Sequence, residues 1–414
     1  MEGPLYRPVR RALRSSQNAA VKPDINLASG DFWGTNPHDA LTWIREHDPV
    51  YWDEQGQVWG ISRYDDVKDV SKHPELFSSA GGIRPESGPQ AMMIDMDDPA
   101  HWQRRKLVNK GFTPQRVRDL EARIRSVANR LIDGVCQQGQ CDFVWDVAAW
   151  LPLVMIADAL GVAAEDHPRL LQWSDDLMRG LGQTDGERAT RMMAAFVAYA
   201  QYITGVIDDR RSRPAEDIIS VLVHAEIDGD RLDRNALIHE TLLLLIGGDE
   251  TTRHVITGGA YQLLRHPEQW NDLRSDLSLV PTAVEEMLRW VTPIKNMART
   301  ATQDLEFRDR HITKGQKLLL LYPSANRDAD QFPDPFRFDS RRTPNEHVAF
   351  GFGAHFCLGN ALARLELKVL FEQLLVRLPD LHLVDRSEPA YRPASFVSGY
   401  ESMKVAFTPT SKAS

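Results

Sequence analysis

Hydrophobic positions along this chain follow two rhythms, and their order sketches the fold. From about residue 99 to residue 268 the spacing is mostly helical. Residues 116–136 put Val117, Leu120, Ile124, Val127, Leu131 and Val135 on one face, three or four positions apart. Residues 189–207 and 234–264 carry the same spacing. The second of these would span about 45 Å unbroken. Its middle is apolar almost all round, which marks a long helix buried in the centre of a large domain. Pro281 opens a short helix to Trp290, with Pro in the first turn. Residues 360–378 predict another, with Leu362, Leu365, Val369 or Leu370, Leu374 and Leu378 inward and Pro379 closing it. Strand-like pieces flank these helices. Val50, Tyr51 and Trp52 and then Val58, Trp59 and Ile61 bracket residues 53–56 as a hairpin. Turn-rich and strand-like stretches fill the chain up to Pro344 and again up to Phe407. The predicted architecture is mainly α with small β-sheets: one large domain over 26–414, after a flexible N-terminal segment 1–25. It lacks the βα alternation of a doubly wound sheet.

Composition narrows the function classes. No run approaches the roughly 18 apolar residues of a membrane span; the strongest, 242–246 and 318–321, are core-sized. Arg7, Arg10, Arg11 and Arg14 give a basic N-terminus with no apolar stretch behind it, which reads as a solvated tail and not a secretory signal. The net charge of −9 over 414 residues argues against nucleic acid as a partner. Three cysteines, Cys136, Cys141 and Cys357, exclude a disulfide scaffold and suit a reducing, cytoplasmic compartment. Cys136 and Cys141 have no His or Cys companion at zinc spacing and read as structural.

Cys357 is different. It lies in a Gly-rich turn just before a helix, where backbone N–H groups and the helix dipole favour a thiolate. Three readings follow: an inert buried thiol, a nucleophile with His355 as base, or the axial ligand of a haem iron. Spacing decides. Phe350, Gly353, Cys357 and Gly359 form Phe-x-x-Gly-x-x-x-Cys-x-Gly. In this loop the chain resembles the cytochrome P-450 family, which implies haem b (iron protoporphyrin IX) with Cys357 as its thiolate ligand.

Three other places carry the resemblance. Gly247, Gly248, Asp249, Glu250 and Thr251 lie inside the long central helix, where each Gly costs about 1 kcal/mol relative to Ala. An acid followed by an alcohol offers a proton route. The run is similar to the family's oxygen-activation motif, which implies that Thr251 holds a bound oxygen species while Glu250 feeds protons. Glu286 and Arg289 share one helix face and match the family's buried structural Glu-x-x-Arg pair. Arg337 and Arg342 are both candidates for its third member. His101, Arg105, Arg299 and His355 match positions that bind the haem propionates, which want cationic partners.

The resemblance covers roughly residues 44–407 and implies an oxygenase that hydroxylates an unactivated C–H bond. No attached reductase or Gly-rich dinucleotide fingerprint is present, so two electrons must come from a ferredoxin and its reductase. The expected docking cations are Arg104, Lys106, Arg364 and Lys368. A pocket for a large apolar substrate would draw on Ile83, Met92, Met93, Ile94, Met96, Leu243, Gly247, Ile294, Met297, Phe396 and Val397. Several of these are methionines, which suit an irregular apolar surface. The stretches 295–299, 350–353 and 392–403 look most like actinobacterial enzymes that oxidise the terminal methyl (C26/C27) of the side chain of cholesterol or cholest-4-en-3-one. The alternatives are the same chemistry on a terpenoid, fatty acid or macrolide, a peroxide-driven enzyme, and a haem protein that only binds or senses a gas.

Overall fold

The computed structural model describes residues 22–181, 186–227 and 229–413. Most of the expected N-terminal segment, residues 1–21, lies outside the described residues. The hairpin is present: β1 (Val50–Asp53) pairs antiparallel with β2 (Val58–Ile61), Val50 opposite Ile61. With β3 (Phe77–Ser78), β4 (Met297–Ala301) and β5 (Lys317–Leu320) it forms a sheet in the order β1-β2-β5-β4-β3. The pair β2–β5 is parallel and β5–β4 antiparallel. This register puts Arg299 opposite Leu318 in the sheet interior.

The helical part is built from α1 (Ala100–Asn109), α2 (Pro114–Asp119), α3 (Glu121–Val135), α4 (Trp150–Leu160), α5 (His167–Gly180), α6 (Gly186–Ser212), α7 (Arg234–Arg265), α8 (Val280–Val291) and α9 (Asn360–Arg377). The single helix expected over 116–136 is broken at Leu120. There a tight turn, Leu120 N–H to Val117 O at 3.1 Å, separates α2 from α3. Thr113 caps α2 by accepting from Arg116 N–H. Leu120 packs on the core in either case, so periodicity alone could not show the break.

The central helix α7 has 32 residues and is capped by Asp233, which accepts from Ala236 N–H. Two glycines let α8 approach it closely. A Cβ on Gly258 would lie 2.6 Å from Val291 Cγ2, and one on Gly259 2.7 Å from Met287 Cγ. The largest hydrophobic cluster gathers side chains of α3, α4, α7, α8 and α9 around this contact. One membrane-length segment does exist, contrary to the sequence expectation. Phe143–Leu160 has a mean hydropathy of 1.7 over 18 residues, and 67% of it is buried inside the fold. Asp146 and Asp158 interrupt its apolar run, which hid it from a search for unbroken stretches. Cys136 and Cys141 are buried, and burial pushes the Cys141 thiol up to about 12.

Candidate functional site

The Cys357 loop is held by its own backbone. Cys357 N–H donates to Phe350 O at 2.9 Å, Phe356 N–H to Gly353 O at 3.0 Å, and the Asn360 amide to Cys357 O at 2.8 Å. Gly353 has φ +74°, and a Cβ there would sit 2.3 Å from Ser71 O, so the turn admits only glycine. Gly359 precedes α9 with open space around it. The sequence reading expected the helix terminus to dominate the thiol. Burial instead pushes Cys357 up, while Gly359 N–H and the charges of Arg105 and Arg364 pull the other way.

Beside this loop, four basic side chains converge on one cavity. His101 and His355 rings lie 4.1 Å apart, and Arg105 and Arg299 line the same space. His101 Nδ1 is 3.2 Å from Asp98. Arg105 reaches Phe356 O, and Arg299 donates to Ala298 O at 2.8 Å. Among the described residues neither arginine has an ion-pair partner. Burial, then Arg299, His101 and Arg105, hold His355 down to about 2. The cluster is short of an anion.

Helix α7 forms the opposite wall. Gly247 faces open space, whereas a Cβ on Gly248 would meet Ile156 Cγ1 at 2.9 Å. One glycine therefore opens the cavity and the other lets α4 pack. Thr251 lines the cavity and donates to Gly247 O at 2.9 Å. Glu250 does not line it. Adjacent helical residues point about 100° apart, and here that turn carries the Glu250 side chain away from the cavity. Glu250 is fully buried against Arg253, with Arg392 at 3.1 Å and His254 at 3.5 Å. Arg392 also reaches Asp175 at 2.6 Å and Glu401 at 3.3 Å. Burial opposes ionisation of Glu250, but Arg253 and Arg392 outweigh it and hold the carboxyl far below its ordinary range. The expected proton feed from Glu250 into the cavity is thus not the arrangement found. The carboxyl that does line the cavity is Glu366 on α9. Burial first, then the charge of Asp249, pushes it up to about 8. Sequence reasoning missed Glu366; its signal was an acid on the otherwise apolar face of α9.

Of the expected substrate residues, Met93, Ile94, Leu243, Gly247, Ile294 and Met297 line this cavity. Ile83, Met92, Met96, Phe396 and Val397 do not. Ile83 O accepts from Ala298 N–H at 2.7 Å, and Val397 forms a β-bridge behind Ile294; both spend their positions on backbone pairing. Met92 is buried in the core. Pro152 and Ile156 of α4 also line the cavity and were not foreseen. Phe350, His355, Cys357 and Gly359 face it from below, while Gly353 only shapes the turn.

Known proteins decide the family. The cytochrome P450 family model matches residues 153–390. A steroid C26-monooxygenase of Mycobacterium tuberculosis is 52% identical, over 94% of this chain and 98% of the relative. The chain belongs to the cytochrome P450 family. A methyl-branched lipid omega-hydroxylase of the same organism is 39% identical over 93% of this chain and 95% of the relative. A Mycobacterium marinum cytochrome P450 in complex with pseudoionone superposes with a TM-score of 0.87 at 34% identity, covering 94% of this chain and 100% of that one.

A cytochrome P450 is a haem-thiolate monooxygenase, and the donor set fits its cofactor. A lone thiol faces the cavity, and two unpaired arginines and two histidines stand where a dianionic edge would satisfy them. The P450 Glu-x-x-Arg pair is fully buried and bidentate, Arg289 Nε to Glu286 Oε2 at 2.7 Å and Nη2 to Oε1 at 2.8 Å. Arg342, 3.1 Å from Glu286 Oε2, is the third member. Arg337 contributes only its carbonyl, which accepts from Arg342 at 2.9 Å and Arg289 at 3.4 Å. The expected docking cations are mostly engaged. Arg104 pairs with buried Glu240 at 2.9 Å, Arg364 with Glu285 at 2.7 Å, and Lys368 with Glu372 at 3.3 Å. Lys106 has no ion pair among the described residues and lies over exposed Trp102.

Proposed function

We propose that this chain hydroxylates the terminal side-chain methyl (C26/C27) of a sterol, cholesterol or cholest-4-en-3-one. The observation that carries this is the 52% identity, over nearly full length, to a steroid C26-monooxygenase. The apolar wall of Leu243, Ile294 and Met297 supports it, since a flat apolar substrate wants such a surface. The 39% identical omega-hydroxylase of methyl-branched lipids favours one second reading, a branched acyl chain in place of the sterol.

In this reading Cys357 holds the iron, and His101, Arg105, Arg299 and His355 hold the propionates. Phe350, Gly353 and Gly359 shape the loop. The haem supplies oxygen activation and C–H oxidation. The protein excludes water and orients the methyl. Thr251 hydroxyl, one turn from the Gly247 carbonyl, holds a proton at the cavity. Glu250 fixes the charge cluster behind α7 as a positioning residue. Residues 26–414 form one domain, and the chain works in the cytoplasm, a reading supported by three free cysteines. Electrons come from a ferredoxin through its reductase. The docking face is the side of the Cys357 loop, with exposed Phe356, Trp102 and Lys106.

The test uses haem-loaded full-length protein. The reduced carbon monoxide complex should absorb at the family's namesake wavelength, and Cys357→Ser should abolish that band. Cholest-4-en-3-one should shift the spin-state spectrum, and a reconstituted ferredoxin system should give side-chain-hydroxylated product. No shift and no such product would reject the sterol, and product from a methyl-branched fatty acid alone would favour the second reading.

A further inference from the structure

A second cavity, of about 550 Å³, lies on the far side of the strand segment that walls the thiolate-facing one. It is large enough for a small organic ligand. Its lining includes Trp33, Trp290 and Tyr391 together with His38, Lys295 and Arg327.

The two cations are almost wholly buried, Lys295 at 5% and Arg327 at 3% exposure. Among the described residues neither has an ion-pair partner. Lys295 Nζ meets only Thr292 O at 3.1 Å, Val291 O at 3.5 Å and the Tyr391 hydroxyl at 3.5 Å. The Arg327 side chain donates once, Nη2 to Trp290 O at 2.8 Å, and its Nε and Nη1 have no hydrogen-bond partner among the described residues. His38 Nδ1 is also unpartnered. The carboxylates in the lining, Asp39 and Glu388, ion-pair with neither cation, and Glu388 accepts from Tyr400 at 3.3 Å. Burying two like charges without an anion is costly. Consistent with that cost, burial and the Arg327 charge push Lys295 down to about 7.

Aromatic faces complete the lining. The Arg327 guanidinium lies 4.8 Å from the Trp290 ring centre and Lys295 Nζ 5.1 Å from that of Tyr391. Flat, polarisable walls beside two cations suit a flat molecule with a negative group. We propose that this cavity binds a flat organic anion, a carboxylate or phosphate ester. Its charged group sits by Lys295 and Arg327, and its body lies against Trp290 and Tyr391. The site is independent of the sterol reading. It does share a wall with the first cavity, because Ile294 faces that one and Lys295 this one, as alternation along an extended segment requires.

The test is calorimetric titration of haem-loaded full-length protein with benzoate, phenyl phosphate and neutral benzyl alcohol, with the Soret band recorded in parallel. At least one anion should bind saturably while benzyl alcohol does not; which anion binds distinguishes the carboxylate from the phosphate source. Lys295→Gln and Arg327→Gln should each weaken binding about tenfold or more, the loss of one charge-assisted hydrogen bond. Arg327 also braces the Trp290 carbonyl, so Lys295→Gln, checked by an unchanged Soret band, is the deciding variant. The proposal is overturned by three results: no saturable binding of either anion, equal binding by Lys295→Gln, or binding that shifts the Soret band equally in wild type and variant. The last would put the anion in the first cavity.

Discussion

Gly247 and Gly248 are neighbours in one helix, yet alanine should act on them in opposite directions. In a helix interior Gly→Ala is worth about 1 kcal/mol of stabilisation. At Gly247 nothing lies within 4 Å of the added Cβ, so Gly247→Ala should keep roughly 0.5–1 kcal/mol of that gain. At Gly248 the Cβ would sit 2.9 Å from Ile156 Cγ1 and 3.0 Å from Ile156 Cβ. Those atoms lie at the branch of a β-branched side chain and cannot swing aside, so α4 and α7 must separate. Overpacking of this kind costs about 1–3 kcal/mol. Subtracting the helix gain leaves Gly248→Ala roughly 0–2 kcal/mol less stable than wild type. The two variants should therefore differ by about 0.5–3 kcal/mol in urea unfolding of the haem-loaded protein, read by circular dichroism. Adding Ile156→Ala should relieve Gly248→Ala more than it does wild type, a coupling of at least about 0.5 kcal/mol. The Gly247→Ala methyl enters the cavity and should weaken substrate-induced spectral shifts. If Gly248→Ala proves as stable as Gly247→Ala, the helix-packing account of the second glycine is wrong.

Arg342→Met should cost about 1–3 kcal/mol in urea unfolding, because buried Glu286 loses a donor. Arg337→Met, which removes an exposed side chain, should stay within about 0.5 kcal/mol, and equal costs would contradict the assignment of the third member. Glu366, pushed up to about 8 by burial and then Asp249, is protonated in the folded state at neutral pH. Its contribution to stability is therefore full below the ordinary carboxylate range and lost as pH rises through about 8. The unfolding free energy from urea titrations should fall over that range, by a few kcal/mol at most, and Glu366→Gln should flatten the fall; an unchanged slope would count against a buried neutral acid. Thr251→Ala removes a hydroxyl bonded only to Gly247 O. It should keep haem and stability but consume reductant without matching product, and intact coupling would reject its proton role.

The local parts of the fold were legible in the chain alone. Prolines and a 3.6-residue rhythm settled α7, α8 and α9 to within a few residues, since each signal acts within a turn or two of chain. The Cys357 loop was equally legible, because its spacing of Phe350, Gly353, Cys357 and Gly359 lies within ten residues of chain. Side-chain direction at close quarters was not. Glu250 and Thr251 are adjacent in sequence, yet only the packing of α7 shows which one faces the cavity. Arg342 and Arg337 have the same chemistry, and the fold alone brings the first to Glu286 and leaves the second exposed. The same holds for Lys295 and Arg327, which are 32 positions apart and face one cavity without a counter-ion among the described residues. Charges tell the sequence reader what could pair; only tertiary structure decides what does, because burial and distance set the energy of every pair.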